Sequence, residues 1–182
     1  DAIQPLSLEV LTSIEDPNLK DDTKLKIINL FARACGPEGM VEGQNRDIIS
    51  ENKVLTEEEL DEIHYLKTGK LIEACVMCVC LIKKNIDATT TEKLIKFSNK
   101  FGLAFQIRDD ILDEIGDETK IGKPIKSDIK NNKSTYPSII GIEKSQKKAE
   151  LLISEALEIL YELPFKTDKL EFLCKLVIKR KN

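Results

Sequence analysis

Apolar residues recur at helical spacing along almost the whole chain. No stretch alternates apolar and polar residues as a half-buried strand would. The first segment carries Ile3, Leu6, Leu8, Val10, Leu11 and Ile14, and Pro17 stops it. A second runs over residues 22–35, with Asp22 or Thr23 as the candidate N-cap and Leu25, Ile27, Ile28, Leu30, Phe31 and Ala32 as its apolar positions. Gly36-Pro37-Glu38-Gly39 interrupts, and residues 38–50 resume as a helix of small and polar groups. Thr56 followed by Glu59 predicts a capping box at the head of a helix that runs to about Lys83, with Gly69 inside it. A second long helix is predicted from Thr90–Thr91 to Ile115, then a loop over 116–133, then shorter helices at about 135–142 and 143–162. Pro164 breaks the pattern, and a last helix runs into the basic end Lys179-Arg180-Lys181-Asn182. The pattern predicts an all-α fold, one domain over residues 1–182, packed around a cavity or groove.

Composition fits that reading. The chain is 41% hydrophobic and 33% charged, with no Trp and a net charge of -4. No basic block interleaved with aromatics suggests a nucleic-acid groove. The longest apolar run, Ala74–Ile82, is too short to span a bilayer. No signal-peptide or lipidation pattern occurs in the residues given, so the expectation is a cytoplasmic protein that binds neither nucleic acid nor membrane. Three of the five cysteines cluster at Cys75, Cys78 and Cys80. Cys75 and Cys78 form a C-x-x-C that would admit a metal or redox role, but no second Cys/His pair lies nearby. Small buried thiols on a helix, in a reducing compartment, are the better reading.

The residues that change the picture are Asp109, Asp110 and Asp113 in the stretch Phe105–Gly116. Asp is a poor helix former, and negative charge near a helix C-terminus opposes the macrodipole. At about 100° per residue, Asp109 and Asp113 share a face, with Asp110 beside them and Gln106 one turn earlier. Phe97, Phe101, Ala104, Ile107, Ile111 and Ile115 take core-like positions on the other side. Charge runs are usually solvated faces. Here the short side chains repel one another, and no Lys or Arg four residues on relieves Asp109 or Asp110. Mg²⁺ would, since it takes one or two carboxylates plus phosphate oxygens and water. Lys67-Thr68-Gly69 sits mid-helix, where Gly is unfavourable, and a break there would present Lys67 and Thr68 together. Lys123, in the loop after the acidic helix, is a second candidate cation for a phosphate.

These segments resemble the trans-isoprenyl diphosphate synthases. Asp109–Asp113 and the loop that follows, through Lys133-Ser134-Thr135-Tyr136-Pro137, look like the second aspartate-rich motif of that family. Ile63–Gly69 looks like its lysine-threonine segment, Gly39–Ile48 like its Gly-Gln-x-x-Asp segment, and the basic end like that of short-chain bacterial members, the farnesyl diphosphate synthases. The order of four segments is specific where DDxxD alone is weak.

The resemblance implies the isoprenoid-synthase helical bundle around a central cavity, in its C-terminal portion. It also implies Mg²⁺-assisted loss of diphosphate from an allylic substrate, followed by attack of isopentenyl diphosphate on the allylic cation. Carried onto this chain, it makes Asp109 and Asp113 metal ligands with Asp110 in support. Lys67, Lys123 and Lys133 become diphosphate-binding. Thr68 and Gln106 line the reacting centre, and Gln44 and Asp47 project toward the same cavity. His64 reads as structural. Isoprenoid diphosphates are the implied small-molecule partners, and a homodimer the implied assembly.

Arg46 departs from the family by standing where an apolar residue is usual, and Lys126 and Asn132 replace loop glycines. The first aspartate-rich motif has no counterpart. The resemblance begins just after it and covers about the C-terminal three-fifths of the family chain, so this chain alone is not expected to be a competent synthase. A terpene cyclase, a geranylgeranyl diphosphate synthase, a non-catalytic regulatory subunit of a prenyl synthase and a helical scaffold with an acidic face remain as alternatives.

Overall fold

The computed structural model describes residues 2–83, 85–115 and 133–179, and every regular element among them is helical. In chain order these are α1 (Ile3–Ser13), α2 (Asp21–Cys35), α3 (Met40–Ile49), α4 (Glu57–His64), a π-helical turn (Tyr65–Gly69), α5 (Lys70–Ile82), α6 (Ala88–Ile115), α7 (Tyr136–Ile140), α8 (Ile142–Tyr161) and α9 (Asp168–Lys179). The loop predicted over 116–133 falls, apart from Lys133, outside the described residues.

The start signal at Thr56 holds and the one at α2 misses. Thr56 caps α4 through a full capping box: its hydroxyl accepts from the Glu59 amide, and the Glu59 carboxylate accepts from the Thr56 amide. Thr135 does the same for α7 with Ser138. At α2 the N-cap is Lys20, which has extended backbone and makes no side-chain cap. Asp21 and Asp22 lie inside the first turn instead, where their charge complements the helix dipole.

α6 is the axis of the fold. Its 28 residues span about 42 Å, and α8 packs along much of it. Leu94, Phe97 and Ala104 of α6 meet Ile153, Ala156 and Leu160 of α8, and α9 closes that core with Cys174 and Val177. A second core joins Ile107 and Ile111 of α6 to Leu60 of α4, Tyr136 of α7 and Ala149 of α8. The apolar side predicted for α6 is therefore present with one correction. Ile115 is exposed, because it ends the helix beyond Ile111 and Leu112, the last buried apolar positions.

The predicted break at Lys67-Thr68-Gly69 is a π-helical turn rather than an interruption. Tyr65–Gly69 widens the helix by one turn and α5 continues it without a cap. Two neighbours hold the turn. From α3, Gly43 comes so close that a Cβ added there would lie 2.3 Å from the Lys67 amide nitrogen. From α6, Gly102 approaches Gly69, with ordinary contact at 3.5 Å from such a Cβ. Only a glycine at 43 permits the first approach.

On α5, Cys78 is buried and its thiol is pushed up to about 11 by burial. Cys75 is exposed and Cys80 half-buried, which corrects the expectation of uniformly buried thiols. Ala74 and Cys78 define the buried strip of α5, and Cys75 lies beside that strip.

Candidate functional site

Four residues of α6 form one strip: Gln106, Asp109, Asp110 and Asp113, at the spacing that places neighbours on one helix face. The strip lines a polar cavity of about 150 Å³. Lys67 of the π turn, Asp47 of α3 and His64 of α4 line it from the other elements, and Lys133 closes it from the segment before α7. Asp113 is only 4% exposed and Asp109 and Asp110 are half-buried, so the acidic face is not a fully solvated one.

Asp47 organises the basic side. Its Oδ2 accepts from Lys67 Nζ at 2.8 Å and from Lys133 Nζ at 2.6 Å. Burial pushes the Asp47 carboxyl up, but the hydrogen bonds and charges of Lys133 and Lys67 more than reverse this and hold it below its ordinary 3.8. Two lysines distant in sequence thus converge on one carboxylate at the cavity wall. Lys67 reaches it because the π turn projects it toward α3, and Lys133 because Ser134 is tied to the α3–α4 connection by bonds to the Leu55 amide and the Lys53 carbonyl.

Thr68 takes a different position from its neighbour. Its Oγ1 donates to Gln106 Oε1 at 3.0 Å. Gln106 faces the polar cavity, whereas Thr68 lines an apolar groove of about 640 Å³ with Ile72, Phe101, Phe105, Leu173 and Leu176. The bond therefore marks the border between a charged compartment and a hydrocarbon-lined one.

Asp110 is held from inside. His64 Nε2 lies 3.3 Å from Asp110 Oδ2, and the Tyr136 amide donates to the same oxygen at 3.0 Å. Nothing in the residue pattern singles out Tyr136, whose backbone supplies the contact. Tyr136 is the first residue of α7, and a helix start carries amides without partners in its own helix.

Gln44 does not line this cavity, contrary to expectation: α3 turns Asp47 toward it, and Gln44 lies elsewhere on that helix, half-buried. Lys123, Lys126 and Asn132 lie outside the described residues. Arg46 is explained by its partners, Glu42 at 2.7 Å and Glu62 at 2.7 Å, through which it clips α3 to α4.

A second groove, about 580 Å³ between α2 and α5, also carries charge, but its ions are paired with each other: Lys26 with Asp22, Arg33 with Glu38, Lys70 with Glu73. It presents no convergent set comparable to the polar cavity.

Among the described residues, no three His, Cys, Asp or Glu side chains converge closely enough to hold a metal by themselves. Mg²⁺ does not need three. It binds through one or two carboxylates, completing its shell with phosphate oxygens and water, and the oxygen donors of Asp109, Asp110 and Asp113 suit it.

Fold and cavity together define an all-α bundle of the isoprenoid-synthase type. The chain belongs to the polyprenyl synthetase family, whose family model matches residues 1–170. It is 41% identical over 180 residues to a farnesyl diphosphate synthase of Geobacillus stearothermophilus, covering 99% of this chain and 60% of the relative. It is 37% identical over 183 residues to a geranylgeranyl diphosphate synthase of Cyanophora paradoxa, covering 100% of this chain and 60% of the relative. A geranyltransferase from Helicobacter pylori, solved in complex with magnesium and isoprenyl diphosphate, superposes with a TM-score of 0.84 at 29% identity over 98% of this chain and 57% of that one. The chain thus spans about 60% of the length of the curated relatives it matches.

Proposed function

We propose that the full-length protein is a prenyltransferase that condenses dimethylallyl or geranyl diphosphate with isopentenyl diphosphate to give farnesyl diphosphate. The observation that carries this is the polar cavity itself. Lysines drawn together by Asp47 face the α6 carboxylates, and the Thr68–Gln106 bond joins that compartment to an apolar groove. A diphosphate ester with a hydrocarbon tail has the same two-part character.

Asp109 and Asp113, with Asp110 in support, would hold Mg²⁺. The bound ion would supply charge stabilisation for the departing diphosphate. Lys67, Lys123 and Lys133 bind and orient the allylic diphosphate, and Asp47 sets the two lysines that meet it. The allylic C–O bond breaks and its electron pair leaves with the diphosphate. The isopentenyl double bond then attacks the allylic carbon, and a proton lost to the diphosphate restores a double bond. Thr68 and Gln106 present oxygen atoms beside the developing cation. Phe101, Phe105 and Ile72 line the groove that shields it from water.

Mg²⁺ as cofactor and a homodimer as the working assembly form part of the proposal. The dimer is supported by α1, none of whose residues is buried although Ile3, Leu6 and Val10 lie along it. A cytoplasmic setting is supported by five free thiols. Farnesyl is preferred as product because relatives of that name match at 37–41% identity; geranylgeranyl is the second reading, on the Cyanophora relative.

The test is a condensation assay on the full-length protein with labelled isopentenyl diphosphate and geranyl diphosphate, with product length read by chromatography. A farnesyl product that disappears in Asp113→Asn is expected. A geranylgeranyl product would favour the second reading, and no carbon–carbon bond formation would overturn the proposal.

A further inference from the structure

His64 is the sole histidine of this sequence, and it is buried one turn before Lys67. Its position alone gives it no chemistry, but its surroundings do. The ring stacks on Tyr136, with 5.9 Å between centroids and 15° between planes. Its Nε2 lies 3.3 Å from Asp110 Oδ2, the same atom that accepts from the Tyr136 amide at 3.0 Å. Two groups from different elements, α4 and α7, therefore hold one carboxylate oxygen. Rotation of the carboxylate would break both contacts.

The clamp is itself anchored. Tyr136 is fully buried. Its hydroxyl donates to Asp61 and accepts from Lys148 Nζ at 2.8 Å, while the Lys148 ammonium sits 4.7 Å over the ring and also meets Glu57. The ring against which His64 stacks is thus pinned from α4 and α8. This network uses none of the lysines assigned above to the diphosphate.

We propose that His64 is a positioning residue. With the Tyr136 amide, it fixes Asp110 so that Oδ1 alone is offered to the cavity. This rests on the prenyltransferase reading and deepens its metal preference. A carboxylate that offers one oxygen suits the strict octahedral shell of Mg²⁺. Ca²⁺, with six to eight oxygen ligands, readily takes a carboxylate through both. Holding Oδ2 in protein hydrogen bonds denies it that second oxygen. The bond requires a proton on Nε2, since a carboxylate oxygen can only accept.

The experiment uses the full-length protein with an inert allylic diphosphate analogue. Bound Mn²⁺ is followed by electron paramagnetic resonance, and Mg²⁺ and Ca²⁺ are each titrated to displace it. His64→Leu removes the donor and His64→Gln keeps one in nearly the same place. His64→Leu is expected to lower the ratio of Mg²⁺ to Ca²⁺ affinity by about tenfold, the scale at which partners of metal ligands act, and His64→Gln to restore most of it. A packing role would weaken both metals together and would not distinguish Gln from Leu; either result overturns the proposal. In wild type, the ¹⁵N resonance of Nε2, assigned by its loss in His64→Gln, is expected to be that of a protonated nitrogen. An unprotonated Nε2 overturns the proposal even if His64→Leu fails to fold. Asp109→Ala separates the two levels. Loss of Mn²⁺ binding in Asp109→Ala with no effect of His64→Leu removes only this inference, whereas unchanged binding in Asp109→Ala removes the prenyltransferase reading beneath it.

Discussion

Thr68 donates its hydroxyl proton to Gln106 Oε1 across 3.0 Å, and the bond stands where the polar cavity meets the apolar groove. It also joins the π turn to the acidic strip of α6. Under the proposed function, charge developing on the hydrocarbon end of a diphosphate ester would lie near these two oxygens.

Replacing Thr68 by Val keeps the shape and removes the oxygen. In the full-length protein, kcat is expected to fall about 10–100-fold with KM for the allylic diphosphate changed little, because the interaction would be made mainly in the transition state. Thr68→Ser should recover most of the loss. Steady-state kinetics with geranyl diphosphate check both variants.

Asp47→Asn leaves Lys67 and Lys133 without their shared charge. KM for the allylic diphosphate should rise about tenfold as the lysines lose alignment, and stability should drop by about 1.5–3 kcal/mol, the scale of hydrogen bonds to a charged group. The pH dependence has a definite sign. The folded-state value of Asp47 is lowered from 3.8, so its stabilisation is present above 3.8 and is lost as pH falls through the folded value. The gap between wild type and Asp47→Asn should be constant through the neutral range and close below about pH 4. Urea unfolding across that range checks it.

Gly43→Ala would put a methyl group 2.3 Å from the Lys67 amide nitrogen. Either α3 or the π turn must move, at about 1–3 kcal/mol, the usual scale for overpacking a core. The prediction is a lower thermal midpoint with faster amide exchange over Tyr65–Gly69 than elsewhere in α4 and α5. Exchange that rises equally along the whole helix would show that the turn is not the element being held.

Much of this was legible from local pattern. Thr56 with Glu59 marked a helix start because capping is a local contact. Gly69 beside Lys67 and Thr68 marked a distortion because glycine is unfavourable in a regular helix. The acidic strip could be read because carboxylates four apart must share a face. What depends on long-range packing was not legible. No local signal shows that α3 aims Asp47, and not Gln44, into the cavity, or that Arg46 finds Glu62 on another helix. The hold on Asp110 was hidden twice over: His64 is distant in sequence, and the second donor is a backbone amide, which residue identity does not reveal.

The most direct test of the central claim is a calorimetric titration of Mg²⁺ into the full-length protein with an inert allylic diphosphate analogue. Repeats use Asp109→Ala and the double variant Lys67→Ala/Lys133→Ala. Heat from wild type that vanishes in Asp109→Ala and is weakened by loss of the lysines is the predicted result. No heat from wild type, or the same heat from Asp109→Ala, would mean that the α6 carboxylates are an acidic face and not half of a metal–diphosphate site.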